Sequence, residues 1–257
     1  MIAWGLLDLG STMSLDGKTL VTIATYNEIE NLPSLVDRIL ECAPDVEILV
    51  IDDNSPDGTG RWCDERAAAD GRLHCLHRTG KLGLGTAILA GMKYAIEHGY
   101  TFVVNMDADF SHNPTYLPEL IAGMNRSGQG AVDVMIGSRY VPGGRIEGWP
   151  IKRHFMSRAI NLYARALLGL KPKDCSGGYR CYRASRLAQL DFTTLKSSGY
   201  SFQEEMLWQL KRLGCRFAET PITFVDRQRG NSKINSREAI NALGIIADLG
   251  RRNLLGR

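Results

Sequence analysis

The chain has 257 residues, 44% of them hydrophobic and 23% charged, with a formal net charge of +3. These are the proportions of an ordinary globular protein, with material for one large α/β domain or two small ones. No run of about 18 apolar residues occurs, so no membrane-spanning helix is expected.

Residues 1–10 are apolar but contain Asp8 and lack a basic start, so they read as an extension rather than a signal peptide. Residues 1–18 are set apart on that ground. Leu20–Thr25 is a β-branched, apolar strand ending at Tyr26-Asn27-Glu28. Ile29, Leu32, Leu35, Val36, Ile39 and Leu40 follow at helical spacing, with Asn31 as the expected cap and Pro33 in the first turn. Val46–Ile51 is a second strand that closes on Asp52-Asp53-Asn54-Ser55-Pro56-Asp57-Gly58, with a helix expected over 59–69. A short strand around 73–76 leads through a Gly-rich turn to a helix over 86–97, and then to the strand Phe102-Val103-Val104-Asn105-Met106-Asp107.

Strand–helix alternation of this kind predicts a mostly parallel sheet with helices on both faces. In such a sheet ligands gather at the carboxyl ends of the strands. Three strands end there in polar residues, at 25–28, 52–57 and 107–111. Asp107 and Asp109, spaced i, i+2, can project to one side and suit a hard divalent cation beside phosphate oxygens. Asp, Ser and Asn-Pro before a helix are also plain capping chemistry. The convergence of three polar tips favours the functional reading. Asp52-Asp53 has the same two readings, a turn or an acceptor for a base or ribose. The turn Lys81-Leu82-Gly83-Leu84-Gly85-Thr86 is neither a Walker loop nor a dinucleotide fingerprint and reads as a tight helix entry.

The second half is less regular. A helix over 115–124 and a strand over 132–136 lead to Gly137-Ser138-Arg139-Tyr140, a Gly/Pro loop and a basic helix over 152–168. A turn at 174–179 enters a short strand, a helix runs from Phe202 to Leu213, and a strand over 217–225 is broken by Pro221, as at an edge. A modest amphipathic helix starts near Ser236, and 234–257 is set apart as a C-terminal tail. Between Arg139 and Arg186 stand eleven Lys/Arg and two acids, a local charge of +9 against −6 elsewhere. That concentration points to an anionic partner at one place, phosphate above all, because the arginine fork takes two oxygens at once. Nucleic acid is not expected, since no aromatic stacking positions interleave the charges. The six scattered cysteines, without C-x-x-C spacing, read as reduced and structural.

Taken together, these motifs resemble the dolichol-phosphate (polyprenol-phosphate) mannosyltransferases, inverting glycosyltransferases of the GT-A fold. The resemblance is carried by Thr25–Pro33, Ile51–Thr59, Gly80–Ala87, Met106–His112, Gly137–Tyr140, Gly199–Met206 and Phe224–Arg227, in the family's order over about residues 20–233. It implies a catalytic domain over 19–233, with a donor site of Ala24, Tyr26, Glu28, Ile51, Asp53, Asp107, Ala108 and Asp109, closed by Arg227 and Lys233. The family commonly has Pro where this chain has Ala24. The resemblance further implies Mg2+ or Mn2+ on Asp107 and Asp109 with Ser111 as a third ligand, and an acceptor phosphate on Arg139, Arg153 and Ser157. The implied reaction takes mannose from GDP-mannose to a polyprenyl phosphate, with Asp109, Arg139 and Arg153 as its principal residues. The implied location is peripheral, at the cytoplasmic face of a membrane, with the basic helix or the C-terminal helix on the lipid and room for an anchoring subunit. A processive polysaccharide synthase is disfavoured, because no Q-x-x-R-W pattern follows the Asp-Ala-Asp strand. Two rivals remain: a transferase of the same fold using UDP-glucose or another nucleotide sugar, and a non-catalytic nucleotide- or lipid-phosphate-binding protein.

Overall fold

The computed structural model describes residues 17–125, 131–197, 199, 201–226 and 236–255, with backbone alone for 236–241. The extension at 1–16 therefore lies outside the described residues. The first half alternates as expected: β1 (Thr19–Thr25), α1 (Leu32–Cys42), β2 (Glu47–Asp52), α2 (Thr59–Ala69), β3 (Leu73–His77), α3 (Leu84–Glu97) and β4 (Phe102–Asp107). Then come α4 (Leu117–Gly123), β5 (Val134–Ser138), β6 (Arg145–Glu147), α5 (Ile151–Leu168), β7 (Arg180–Arg183) and α6 (Ala184–Leu187). The chain closes with α7 (Phe202–Arg212), β8 (Phe217–Pro221), β9 (Thr223–Val225) and α8 (Ser236–Leu254).

Seven strands form one sheet in the order β3-β2-β1-β4-β7-β5-β8, while β6 and β9 pair as a separate ribbon. All pairs are parallel except those of β7, which runs antiparallel between β4 and β5. Side-chain alternation divides the sheet into two buried faces. Val21, Ile23, Ile48, Val50, Val104 and Met106 pack on α1 and α4, and Leu20, Leu49, Ile51, Val103, Val134 and Ile136 face α3 and α7. Burial on both faces explains why these strands read as continuous apolar runs. Gly91 lets α3 approach closely, since a Cβ there would stand 3.0 Å from the Thr22 side chain.

Several local expectations shift. Asn31 precedes α1 with Pro33 in its first turn, but its side chain caps nothing and instead donates to Glu28 at 2.9 Å. Ile29 stays outside the helix, its N–H given to the Asp57 carboxylate at 3.1 Å. The Gly-rich turn is the tight entry expected, with Gly83 at φ +98 and α3 starting at Leu84. Pro221 does end an edge strand, after which the chain crosses to pair β9 with β6.

Candidate active site

The parallel register brings the polar tips side by side: Ala24 is level with Asp107, and Thr25 with Asp52. Each tip turns through one non-glycine residue with positive φ, namely Asn27 at 61°, Asn54 at 58° and Phe110 at 60°. Asn tolerates that conformation through local hydrogen bonding; Phe does not, so Phe110 holds a strained backbone between Asp109 and Ser111. The first two tips are knitted together, Asn27 N–H donating to Ser55 Oγ and Glu28 N–H to Thr59 Oγ1.

Asp52 and Asp53 divide the two readings of their pair. Asp52 is buried and accepts from Thr25 Oγ1 and Ser55 Oγ, which is turn chemistry. Asp53 instead faces Arg78, whose Nε lies 2.6 Å from its carboxylate, both side chains about nine-tenths covered. Sequence reasoning missed Arg78, although the tip of β3 belongs to the same edge as the other three. Tyr26 is half-buried, with the Lys81 ammonium 4.6 Å above its ring. Glu28 is also half-buried, and Ile51 and Ala108 are buried.

At the third tip Asp107 is partly open to solvent, and Asp109 accepts the Ser111 N–H at 3.1 Å. His112, buried against Tyr179 and edge-on to Phe224, accepts the Asp107 N–H at its Nδ1. That imidazole fixes the loop and is no free base. Ser111 Oγ is buried without a hydrogen-bond partner. Two carboxylates and an uncommitted hydroxyl form an all-oxygen donor set that fits a hard divalent cation.

Arg139, Arg153 and Ser157 come together as a second group. Trp149 gathers them, its ring 5.5 Å from the Arg139 guanidinium and 4.0 Å from that of Arg153. Tyr140 donates to Ser157 Oγ at 2.7 Å. Neither guanidinium is bare. Arg139, 8% exposed, grips Asp174 through two bonds of 2.7 Å, and its Nη2 also reaches Ser176. Arg153 binds Asp226 at 2.9 Å. Phe224 links the two groups, 5.5 Å from Trp149 and 5.8 Å from His112. Asp109, Phe110, Glu30 and Asp226 line one cleft of about 360 Å³, so the carboxylate tip and the partner of Arg153 open onto the same space. Two N–H groups on the arginine side, Trp149 Nε1 and Arg153 Nε, are buried and unpartnered. Arg227 and Lys233 lie outside the described residues.

The basic segment needs a correction. Arg139, Arg180, Arg183 and Arg186 are not a solvent-facing phosphate patch. Arg180 is buried and donates to the carbonyls of Gln203 and Cys175, while Arg183 and Arg186 converge on Asp133. Much of the local positive charge holds the second half of the sheet together, because an antiparallel strand wedged beside β4 brings its polar flanks inside. Among these groups Glu204 is fully buried, and burial pushes its carboxyl up to about 7. Folding therefore favours the protonated acid, and stability falls as pH rises from the ordinary carboxyl value of 4.5 through about 7. Glu204→Gln is expected to be near neutral at about pH 5 and stabilising by up to about 3 kcal/mol at about pH 8. Urea unfolding at the two pH values checks this; equal effects at both would remove the buried-acid reading.

A family model, glycosyl transferase family 2, matches residues 20–190. The chain is 47% identical over 218 residues to an undecaprenyl-phosphate mannosyltransferase of Micrococcus luteus, covering 85% of this chain and 88% of that one. It is 44% identical over 241 residues to a polyprenol monophosphomannose synthase of Mycolicibacterium smegmatis, covering 93% and 89%. Among solved structures, glucosyl-3-phosphoglycerate synthase of Mycobacterium tuberculosis with Mn2+, UDP-glucose and phosphoglyceric acid superposes with a TM-score of 0.64 at 21% identity, over 91% of this chain and 80% of that one. That likeness establishes the shared GT-A fold.

Proposed function

The chain belongs to glycosyl transferase family 2, and from that membership we propose that it moves mannose from GDP-mannose to the phosphate of a polyprenyl lipid, inverting the anomeric centre. One observation carries the reading. Among the described residues, the unpartnered buried polar atoms include the Ser111 hydroxyl beside Asp109 and two N–H donors, Trp149 Nε1 and Arg153 Nε, on the arginine side. The first suits a cation and the others an anion. The names of the two relatives supply the acceptor and the sugar, and their identity over nearly the whole chain makes the transfer to this protein reasonable.

In this reading Tyr26, Glu28 and Asp53 hold the nucleotide, with Ala24, Ile51 and Ala108 supplying the buried floor at the strand ends. Asp107, Asp109 and Ser111 hold Mg2+ or Mn2+, which supplies Lewis-acid stabilisation of the departing diphosphate. Arg227 and Lys233 close over the donor phosphates. The acceptor is a phosphate monoester with a second pKa of about 6, so it is largely dianionic at neutral pH and needs no strong base. The chemical difficulty is the approach of two anions. Arg153, Trp149 Nε1 and Ser157 receive the incoming phosphate, and Arg139 holds positive charge behind them, fixed in place by Asp174. Arg153 can exchange the Asp226 carboxylate for a phosphate without changing the sign of its partner. Arg153→Ala is expected to raise the acceptor KM about tenfold or more and leave donor binding within about twofold. Initial rates with each substrate varied separately check this, and equal losses for both substrates count against the acceptor role.

No helix among the described residues is long and apolar enough to cross a membrane. The proposed route to the lipid is the outer side of α5, where Ile151, Phe155 and Leu162 recur at i, i+4 and i+11 and are each at least 66% exposed. Lys152 and Arg158 are exposed on the same helix. An apolar stripe flanked by cations suits a peripheral seat on an anionic surface such as the cytoplasmic face of a membrane. Phe155→Ser with Leu162→Ser is expected to lower partitioning onto anionic vesicles by about tenfold or more, since each buried side chain contributes about 1 kcal/mol or more. Vesicle co-sedimentation decides it, and unchanged partitioning removes this face.

The function itself is tested with purified protein, a panel of labelled nucleotide sugars and a polyprenyl phosphate, with and without EDTA. Transfer from GDP-mannose alone, lost with EDTA and restored by Mg2+ or Mn2+, is the expected result. Transfer from UDP-glucose instead, or undiminished transfer in EDTA, overturns the donor or the metal respectively.

A further inference from the structure

A second cluster of ligand-type side chains lies away from the cleft, in the notch between α2 and the edge strand β3. A carboxylate oxygen of Asp64, Cys75 Sγ and a ring nitrogen of His77 all lie within 4.8 Å of one another. Strand parity produces this: Cys75 and His77 are i, i+2 on β3 and share the side that α2 covers. Gly60 opens the room, because a Cβ there would stand 3.1 Å from His77 Cε1. Asp64 Oδ1 is 2.8 Å from His77 Nε2, and these two side chains are 60% and 50% exposed, so the notch is reachable from solvent. Behind it Cys63 is fully buried. Neither cysteine is in a disulfide.

We propose that Asp64, Cys75 and His77 form a site for a borderline-soft divalent cation of the Zn2+ class. Sulfur, nitrogen and oxygen ligands in one cluster suit Zn2+ or Co2+ and disfavour Mg2+, the reverse of the all-oxygen set at Asp107 and Asp109. Ligand atoms around tetrahedral zinc sit at about 2.0–2.3 Å from the metal, so they must draw together from their present spacing. The exposed Asp64 and His77 side chains are free to do so. Binding releases the Cys75 proton to solvent and leaves one position for water. The site adjoins the nucleotide side of the protein, since His77 is followed by Arg78, the partner of Asp53.

The test is titration of the reduced full-length protein with Co2+, in a buffer without thiols, followed by competition with Zn2+. The expected result is saturation at one equivalent with a near-ultraviolet sulfur-to-cobalt charge-transfer band, displaced by Zn2+ but not by Mg2+. Cys75→Ser eliminates that band, and His77→Ala weakens binding by about a hundredfold. His77 is an exposed side chain, so its variant stays folded even where a cysteine variant does not. Asp109→Ala keeps the band in full. Absence of the band, its persistence in Cys75→Ser, its loss in Asp109→Ala, or affinity unchanged in His77→Ala each overturns the site.

Discussion

Replacing Asp109 by alanine is expected to lower mannosyl transfer by about three orders of magnitude while leaving the fold in place. The reasoning separates two roles of one carboxylate. Structurally, Asp109 accepts the Ser111 N–H at 3.1 Å in a partly open loop, so its removal costs about 1 kcal/mol of stability. Functionally, in the proposed reading, it is half of the anionic pair that holds the cation against the leaving diphosphate. Removing it forfeits several kcal/mol of transition-state stabilisation, each 1.4 kcal/mol being about tenfold in rate. Single-turnover transfer from labelled donor, beside a thermal melt of the same sample, measures the two roles separately. Full activity in the variant would sink the metal assignment; unfolding would assign Asp109 to the scaffold.

The largest expected effect on stability belongs to Asp174. Its carboxylate is wholly buried and takes the Arg139 backbone N–H, the Nε and Nη2 groups of the Arg139 guanidinium and the Gly177 N–H. Asp174→Ala strands the Arg139 charge in the interior, and breaking a buried pair from one side costs about 3–5 kcal/mol. By contrast, Arg38→Ala, which removes an exposed i, i+3 pair with Glu41, is expected to leave stability essentially unchanged. Urea unfolding of both variants at neutral pH makes the comparison. The pair also sets a pH dependence. The guanidinium of Arg139 holds the Asp174 carboxyl below the ordinary carboxylate value, against the burial that opposes it. Its stabilisation is present above the unfolded value of 3.8 and is lost as pH falls through the lower folded value.

The strand–helix alternation of the first half of the chain was legible in the sequence. Apolar runs of five or six residues ending in Tyr26-Asn27-Glu28, Asp52-Asp53 and Asp107-Ala108-Asp109 follow the local rules of a parallel sheet, and the register of β1, β2 and β4 aligns their tips. Arg78 escaped because a single arginine directly after a short, half-buried strand carries no periodic signal. The second half was less legible because its decisive contacts are long in sequence. Asp174 finds Arg139 across 35 residues, and Asp226 finds Arg153 across 73. A charge count over 139–186 includes Asp174 but not its pairing, and it leaves out Asp133 and Asp226, which answer Arg183, Arg186 and Arg153 from outside the segment. Trp149, which collects both guanidiniums, lies in a Gly/Pro loop where neither helical nor strand period applies.

The antiparallel insertion of β7 has a consequence for modularity. A strand from the second half supplies the missing hydrogen-bonded neighbour of both β4 and β5, and Asn105 on β4 donates across to the Gly178 carbonyl at 2.9 Å. A segment ending before Arg180 would leave two facing sheet edges open, the template that invites intermolecular pairing. The first half of the sheet is therefore not a cassette that can be cut away or grafted onto another second half. Diversification within this architecture is confined to loops and tips, while the strand that stitches the halves together has to travel with both.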